Sequence, residues 1–346
     1  MKKILMFTPY MMDGILLIAS GLPKILKDKG EIFVWKVSDD KFWTLDNAKK
    51  VFPYLNYIEN IGNIKELDKY NFDLLITGRI QDEYGIQLCR DGKYKKMYLQ
   101  EGFGCRTHTD LGSLEYFDRF CMWGEFEKEF FKHAYPFLNL SKDRYNCMGS
   151  LKYQEDFFDK SKTNNPFKTD KKKIAVFLHL YNLDNIKGLI EKMGEKYEVI
   201  VVTKGGRPDD TEYEFYKHNH TVSIYYNLAF DYKYFNNGNI YAIRDYIINA
   251  DEILVDYSTC ILECLLLGKN PIILDISAEE RELAHGGYFF VKNNMDRLRV
   301  FEHSKNIWDM ILDGKIGQSS ELDLNRFVVR DNFMQRLENE IKGLLQ

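Results

Sequence analysis

Short apolar runs alternate with helical or glycine-turn segments along most of this chain, an alternation that belongs to parallel sheets covered by helices. KKILMFT opens the series and is followed by PYMMDGILLIASGLPKILKDKG, a glycine-containing turn and an apolar helix, then by EIFVWKVS. FDLLITG at 72–78, KKMYLQEG at 95–102 and FDRFCMWG at 117–124 continue it, and YNCMGSLKYQ reads as a last strand and glycine turn. DKSKTNNPFKTDKKK, polar, lysine-rich and punctuated by Pro166, then reads as a linker. A second series starts with KIAVFLH at 173–179, passes through a helix near 184–194 to YEVIVVTKG at 197–205, and has further strands near 221–226, 252–256 and 271–275. At 346 residues the chain exceeds what one core supports. The expected organisation is therefore α/β, with one Rossmann-like domain over 1–160 and another over 171–320 facing each other across a cleft. Over 321–346, Phe327, Phe333, Leu337, Ile341 and Leu344 recur at helical spacing, which predicts a helix packing back across the junction.

Residues 250–275, ADEILVDYSTCILECLLLGKNPIILD, carry the most chemistry. They read as strand, polar turn, short helix and strand, which puts Ser258 and Thr259 at a helix start beside a strand end and Glu263 one turn further on. Open backbone N–H groups there favour phosphate oxygens, and a carboxylate one turn in accepts hydrogen bonds from sugar hydroxyls. A capped helix with its carboxylate in solvent satisfies the same pattern.

Composition removes several function classes. Apolar residues at 45% and aromatics at 15% describe a packed globular protein. Cysteines 89, 105, 121, 147, 260 and 264 show no C-x-x-C spacing, so reduced thiols in a cytoplasmic protein are expected, with neither a zinc site nor a disulfide framework. The first segment is broken by Pro9, Asp13 and Gly14 and fails as an export signal, and no apolar run approaches the roughly 18 residues of a membrane span. A formal charge of -4 gives no field for a nucleic acid polymer. KTDKKK at 168–173 suits either contact with anionic lipid, as a peripheral attachment to the cytoplasmic face, or a solvated linker.

Several blocks in order resemble GT-B type glycosyltransferases, in particular the group containing CDP-glycerol glycerophosphotransferases and surface-polysaccharide transferases. DYST at 256–259 followed by LLLGKNPII at 265–273 matches a DYSS-like turn and the strand entry after it. YLQEGFG at 98–104 stands where the group ends a strand in an HG pair; DRFCMWGEFEKEFFKHAY and CMGSLK at 147–152 match a W-G-E segment and a G-S-P-K turn. The resemblance implies two facing Rossmann-like domains and a nucleotide-activated donor bound on the second, with Gly149, Ser150, Ser258, Thr259 and Glu263 in donor binding. Glu101 replaces the histidine base and Leu151 the proline.

Glu101 therefore reads either as a general base or as a carboxylate capping the turn at Gly102. Asp13, beside Gly14 in the loop after the first strand, reads as a second base candidate or as a helix cap. Gly14, Gly102 and His108 fall on the acceptor-side loops. Lys204 and Arg207, after YEVIVVTKG, offer positive charge to a donor pyrophosphate, or simply face solvent. His285, in AHGGYFF, is a further donor-side candidate; His179 ends the first strand of the second domain. FEKEFFKHAYPF at 126–137 reads as core or as acceptor contact. No metal ligand set and no cofactor are expected. The expected function is transfer of a sugar or alditol phosphate from a nucleotide-activated donor to a hydroxyl of a surface glycan or a lipid-linked acceptor. The alternatives are a UDP-N-acetylglucosamine 2-epimerase-like enzyme and an inactive GT-B nucleotide-binding scaffold. Oligomeric state is not fixed by the sequence.

Overall fold

The structure is a computed structural model that describes residues 1–8, 22–35, 45–51, 53–78, 80, 82–100, 112–134, 136–137, 139, 141, 143–179, 183–204, 222–226, 242–275, 290–294, 296–302 and 322–346. These form two parallel sheets with helices beside them, a GT-B-like α/β architecture in two compact units. Of the described residues, the first unit takes those within Met1–Phe157 and Asp323–Gln346, and the second those within Phe158–Ala229 and Tyr241–Leu322.

The first sheet holds β1 (Lys3–Phe7), β2 (Glu31–Trp35), β3 (Asn56–Ile58), β4 (Leu74–Thr77), β5 (Lys95–Leu99), β6 (Arg119–Met122) and β7 (Tyr145–Cys147) in the order β3-β2-β1-β4-β5-β6-β7. Every pairing is parallel, with Ile4 opposite Ile32 on one side and Leu74 on the other. Ile4 to Phe7 are buried without alternation, as expected of a strand covered on both faces. Helices α1 (Leu22–Leu26), α2 (Leu45–Val51), α3 (Glu83–Asp91) and α4 (Glu125–Ala134) belong to this unit. Asp82 caps α3 by accepting from the Gly85 N–H at 2.7 Å.

The short helix α5 (Glu155–Phe158) leads into the second unit. There β8 (Lys173–His179), β9 (Glu198–Lys204), β10 (Val222–Tyr226), β11 (Glu252–Val255), β12 (Ile272–Asp275) and β13 (Arg299–Glu302) lie in the order β10-β9-β8-β11-β12-β13. Helices α6 (Leu183–Lys196), α7 (Ala242–Asn249) and α8 (Cys260–Leu266) accompany them. Leu189, Ile190 and Met193 of α6 pack on Ile174, Val176, Val199 and Val201 to make the core.

The polar stretch that composition marks as a linker is anchored to the second unit. Arg244 donates to the Lys162 carbonyl at 3.0 Å and Asn249 to that of Asn164 at 3.2 Å. The Glu198 carboxylate accepts the Lys168 and Thr169 N–H groups at 2.7 and 2.8 Å and the Thr169 hydroxyl at 2.7 Å. Burial pushes the Glu198 carboxyl up, but those donors and the Lys173 charge outweigh it and hold the group below its ordinary range.

The last segment returns to the first unit. Helix α9 (Phe333–Leu345) buries Phe333, Leu337, Ile341 and Leu344, the face set by spacings of four, four and three. Before it, Val329 donates to the Trp123 carbonyl at 2.8 Å, and Phe126 and Phe327 pack with ring centroids 5.2 Å apart. The crossing runs over two glycines. A Cβ on Gly124 would lie 2.4 Å from the Arg326 carbonyl oxygen, and one on Gly149, whose φ is +95°, only 2.1 Å from that of Val329.

Candidate functional site

Open parallel sheets bind ligands beyond the carboxyl ends of their strands, where the strand order reverses. In the second sheet that point lies between β8 and β11, whose neighbouring positions Phe177 and Val255 are in register. The chain leaving β11 at this point is Asp256-Tyr257-Ser258-Thr259, and α8 starts at Cys260. Asp256 and Tyr257 are buried, with the Asp256 N–H donating to the Phe177 carbonyl at 3.1 Å, so the turn is tied to the sheet.

Ser258, Thr259 and Cys260 then emerge partly exposed. The Ser258 hydroxyl accepts the Cys260 N–H at 3.1 Å, which closes the first turn locally. Thr259 occupies the cap position with helical backbone angles, φ -56° and ψ -24°, and its side chain makes no cap hydrogen bond. The two hydroxyls therefore differ: one is engaged in shaping the turn, the other is not used for capping. Because α8 has seven residues, its macrodipole is short. Hydroxyls and the first N–H groups are what the turn offers an anionic oxygen.

Glu263 lies one turn into α8, its N–H donating to the Thr259 carbonyl at 3.2 Å, and it is 1% exposed. Burial of that carboxylate departs from the solvent-facing alternative and also keeps it from direct reach. At the carboxyl ends of the adjoining strands, His179 closes β8 and Lys204 closes β9, and the two are register partners.

Gly149 and Ser150 belong to the first unit, and Ser258 to Glu263 belong to the second. The space a Gly149 side chain would need is filled by the Val329 carbonyl. Ser150 is buried and its hydroxyl accepts the Lys152 N–H at 3.1 Å. This turn therefore has a structural account, in the returning chain. Asp13, Gly14, Glu101, Gly102, His108, Arg207 and His285 lie outside the described residues. The flank of Glu101 is described: the Gln100 side chain accepts the Trp123 N–H at 2.7 Å, and the Trp123 indole donates to the Gln100 carbonyl at 3.1 Å. These two bonds, both donated by Trp123, fix where the chain leaves β5.

Of the aromatic stretch at 126–137, Phe126, Phe130 and Phe131 are buried, and Phe131 packs on Tyr98 and Phe120. They are core, and only Phe137 is an exposed phenylalanine of the group. Asp256 and Tyr257 open the DYST match, and it is their burial at the end of an apolar strand that ties the turn to the sheet. Among the described residues, no group of three or more His, Cys, Asp or Glu is placed to hold a metal ion, and no helix is long and apolar enough to cross a membrane.

Sequence comparison finds no matching protein-family model and no matching curated protein. Comparison with solved structures does. The wall teichoic acid polymerase TagF superposes with a TM-score of 0.60 at 11% identity, over 99% of this chain and 89% of that one. The UDP-GlcNAc 2-epimerase from Methanocaldococcus jannaschii gives 0.60 at 13% identity, over 99% and 100%. MurG from Acinetobacter baumannii gives 0.55 at 10% identity, again over 99% and 100%. At such identities the likeness is one of fold: this chain has the two-unit GT-B architecture that these proteins share.

Proposed function

We propose that the chain is a transferase that takes a sugar or alditol phosphate from a nucleotide-activated donor and places it on a hydroxyl of a surface glycan or lipid-linked acceptor at the cytoplasmic face of a membrane. The observation that carries this reading is the turn after β11. It sets a non-capping threonine hydroxyl and a second hydroxyl, partly exposed, at the strand-order reversal of the second sheet. Names among the structural neighbours lend support, since they include a teichoic acid polymerase and a UDP-GlcNAc 2-epimerase.

In this reading Thr259 and the first N–H groups of α8 hold the donor phosphate. Lys204 and Arg207 stabilise charge on the departing nucleotide, with His285 alongside. Glu263 serves the ribose once its surroundings admit the sugar. Glu101 or Asp13 takes the proton from the acceptor hydroxyl, on a first unit whose Gly14, Gly102 and His108 line the acceptor side. The group transferred passes from a phosphate leaving group to the acceptor oxygen, and the nucleotide departs.

The test is thermal unfolding against UDP-, CDP- and GDP-sugars and CDP-glycerol, because a ligand preferring the folded state must raise the apparent stability. A shift with one nucleotide class, lost in Thr259→Val while unliganded stability is unchanged, supports the donor site. Retention of the full shift in Thr259→Val removes the turn from donor binding. Absence of any shift argues against a nucleotide donor altogether, whereas a shift without turnover selects the scaffold alternative. The epimerase reading is kept because its structural likeness equals that of the polymerase; free monosaccharide released without any acceptor would select it.

A further inference from the structure

A cavity of about 540 Å³ opens at the outer edge of the first sheet, within the size range of small-ligand sites. β3 is the last strand on that side, so the cavity lies two strands out from the β1/β4 reversal, where a parallel sheet ordinarily receives its ligand. Phe33 of β2 and Ile58 of β3 are buried and give it an apolar wall, while Lys49 of α2, Asn56, Glu59 and Tyr70 line it partly or fully exposed. The walls are fixed by contacts of their own. Tyr70 packs against Phe33 and Phe72 with ring centroids 5.4 and 5.5 Å apart. The Tyr57 hydroxyl donates to the Ala48 carbonyl at 2.9 Å, which ties α2, and Lys49 with it, to β3. A cavity held in shape this way needs little ordering when a ligand enters.

Its polar groups are arranged for an uncharged ligand. The Asn56 amide nitrogen donates to the Ile32 carbonyl at 3.1 Å and to the Glu31 carboxylate at 3.4 Å, so both of its hydrogens are used and the amide oxygen is left as an oriented acceptor. Lys49 and Glu59 form an ion pair that cancels their charge while leaving further N–H groups on one and lone pairs on the other. An anion entering here meets Glu59 and a cation meets Lys49. Apolar walls interleaved with donors and acceptors, without net charge, match a sugar ring, whose C–H faces are apolar and whose hydroxyls both donate and accept. A peptide strand added to the open edge is the competing occupant. β3 offers it only three residues, with the charged Glu59 directly after them, and short charged edges discourage such pairing. We propose that the cavity beside β3 binds an uncharged saccharide unit. That this unit belongs to a glycan held at the sheet edge between transfers rests on the transferase reading; binding of the saccharide does not.

The experiment titrates the full chain separately with maltotetraose, the N-acetylglucosamine tetramer, inorganic phosphate and an alternating threonine-valine hexapeptide, and follows the backbone amide NMR signals of Asn56 to Glu59. At least one tetrasaccharide is expected to move those signals. Its affinity should fall about three- to tenfold in Asn56→Ala, the loss of one hydrogen bond, and by a similar factor in Lys49→Met. Asn56→Trp, which fills the cavity, should abolish the response. Thermal unfolding of each variant shows whether it is folded, and Lys49→Met, at a half-exposed helix position, decides the matter if the strand variants are not. No response to either tetrasaccharide, equal affinity in the wild type and the folded variants, or a response to phosphate or the peptide alone overturns the proposal; the peptide result would assign the edge to strand addition. None of these readouts needs a nucleotide, so their failure is distinguishable from failure of the donor titrations.

Discussion

Replacing Gly149 by alanine tests the packing of the returning chain. Two penalties combine there. The backbone sits at φ +95°, on the left-handed side that costs a residue with a Cβ roughly 1–2 kcal/mol. The new Cβ would also lie 2.1 Å from the Val329 carbonyl oxygen, with the Phe333 ring 3.5 Å away, so Val329 must retreat. That movement strains the Val329 to Trp123 hydrogen bond, worth about 0.5–1.5 kcal/mol net, and overpacks a filled site at about 1–3 kcal/mol. A total of about 2.5–6.5 kcal/mol follows, at or above the upper end of the usual single-site effect of about 0.5–3 kcal/mol. Gly268 is the control. It has φ +75° but nothing within 4 Å of a built Cβ, so Gly268→Ala carries the backbone penalty alone. Urea unfolding followed by tryptophan fluorescence and by circular dichroism gives both losses, and two probes reveal whether the units unfold separately. If Gly149→Ala and Gly268→Ala differ by less than about 0.5 kcal/mol, the crossing chain yields freely and the packing argument is wrong.

Two further predictions concern long-range ties. Hydrogen bonds and charges from Lys29 and Lys342 hold the Glu338 carboxyl near a pKa of about 2, against an ordinary 4.5. A depressed carboxylate contributes stability above its unfolded value and loses it as pH falls through the folded one, so the stability gap between wild type and Glu338→Gln should close as pH drops from about 5 to about 2; a gap that persists at the acid end contradicts the ion pairs. In the second unit, Glu198→Ala should speed tryptic cleavage after Lys168 and Lys171 by about tenfold, by removing the carboxylate that holds the Lys168 and Thr169 N–H groups. Unchanged cleavage kinetics would mean that the segment opens without breaking those bonds.

Most of the architecture was legible because parallel strands buried on both faces must be written as apolar runs, and KILMF and KIAVFLH are such runs. The strands Asn56–Ile58 and Arg299–Glu302 escaped, one being three residues long and the other carrying charge at both ends. The segment from Asp159 to Thr169 was misleading for a different reason. Its composition describes solvated chain, while the side chains that fix it, Arg244, Asn249 and Glu198, stand roughly thirty to eighty positions away and leave no local trace. In the site, a turn such as Ser258-Thr259 is readable from its flanks, but which hydroxyl caps and which does not is decided by backbone angles. The cavity beside β3 has no local signature, because Phe33, Lys49, Asn56 and Tyr70 meet only once the sheet has formed.

The described part of the first unit is built from two stretches of chain separated by the second unit, and this sets an order on its birth. On the ribosome the first sheet emerges early, but the strap at Arg326–Val329 and the helix at Phe333–Leu345 follow only after the second unit. At ordinary elongation rates the intervening residues take roughly ten to thirty seconds to synthesise. For that interval the nascent sheet must wait with its groove over Gly124 and Gly149 unfilled and the seats of Phe327 and Phe333 open to water. Handling by chaperones should therefore concentrate on this half-finished unit, and ribosome-bound chains halted before Asp323 should be far more prone to aggregate than those extended past Leu345.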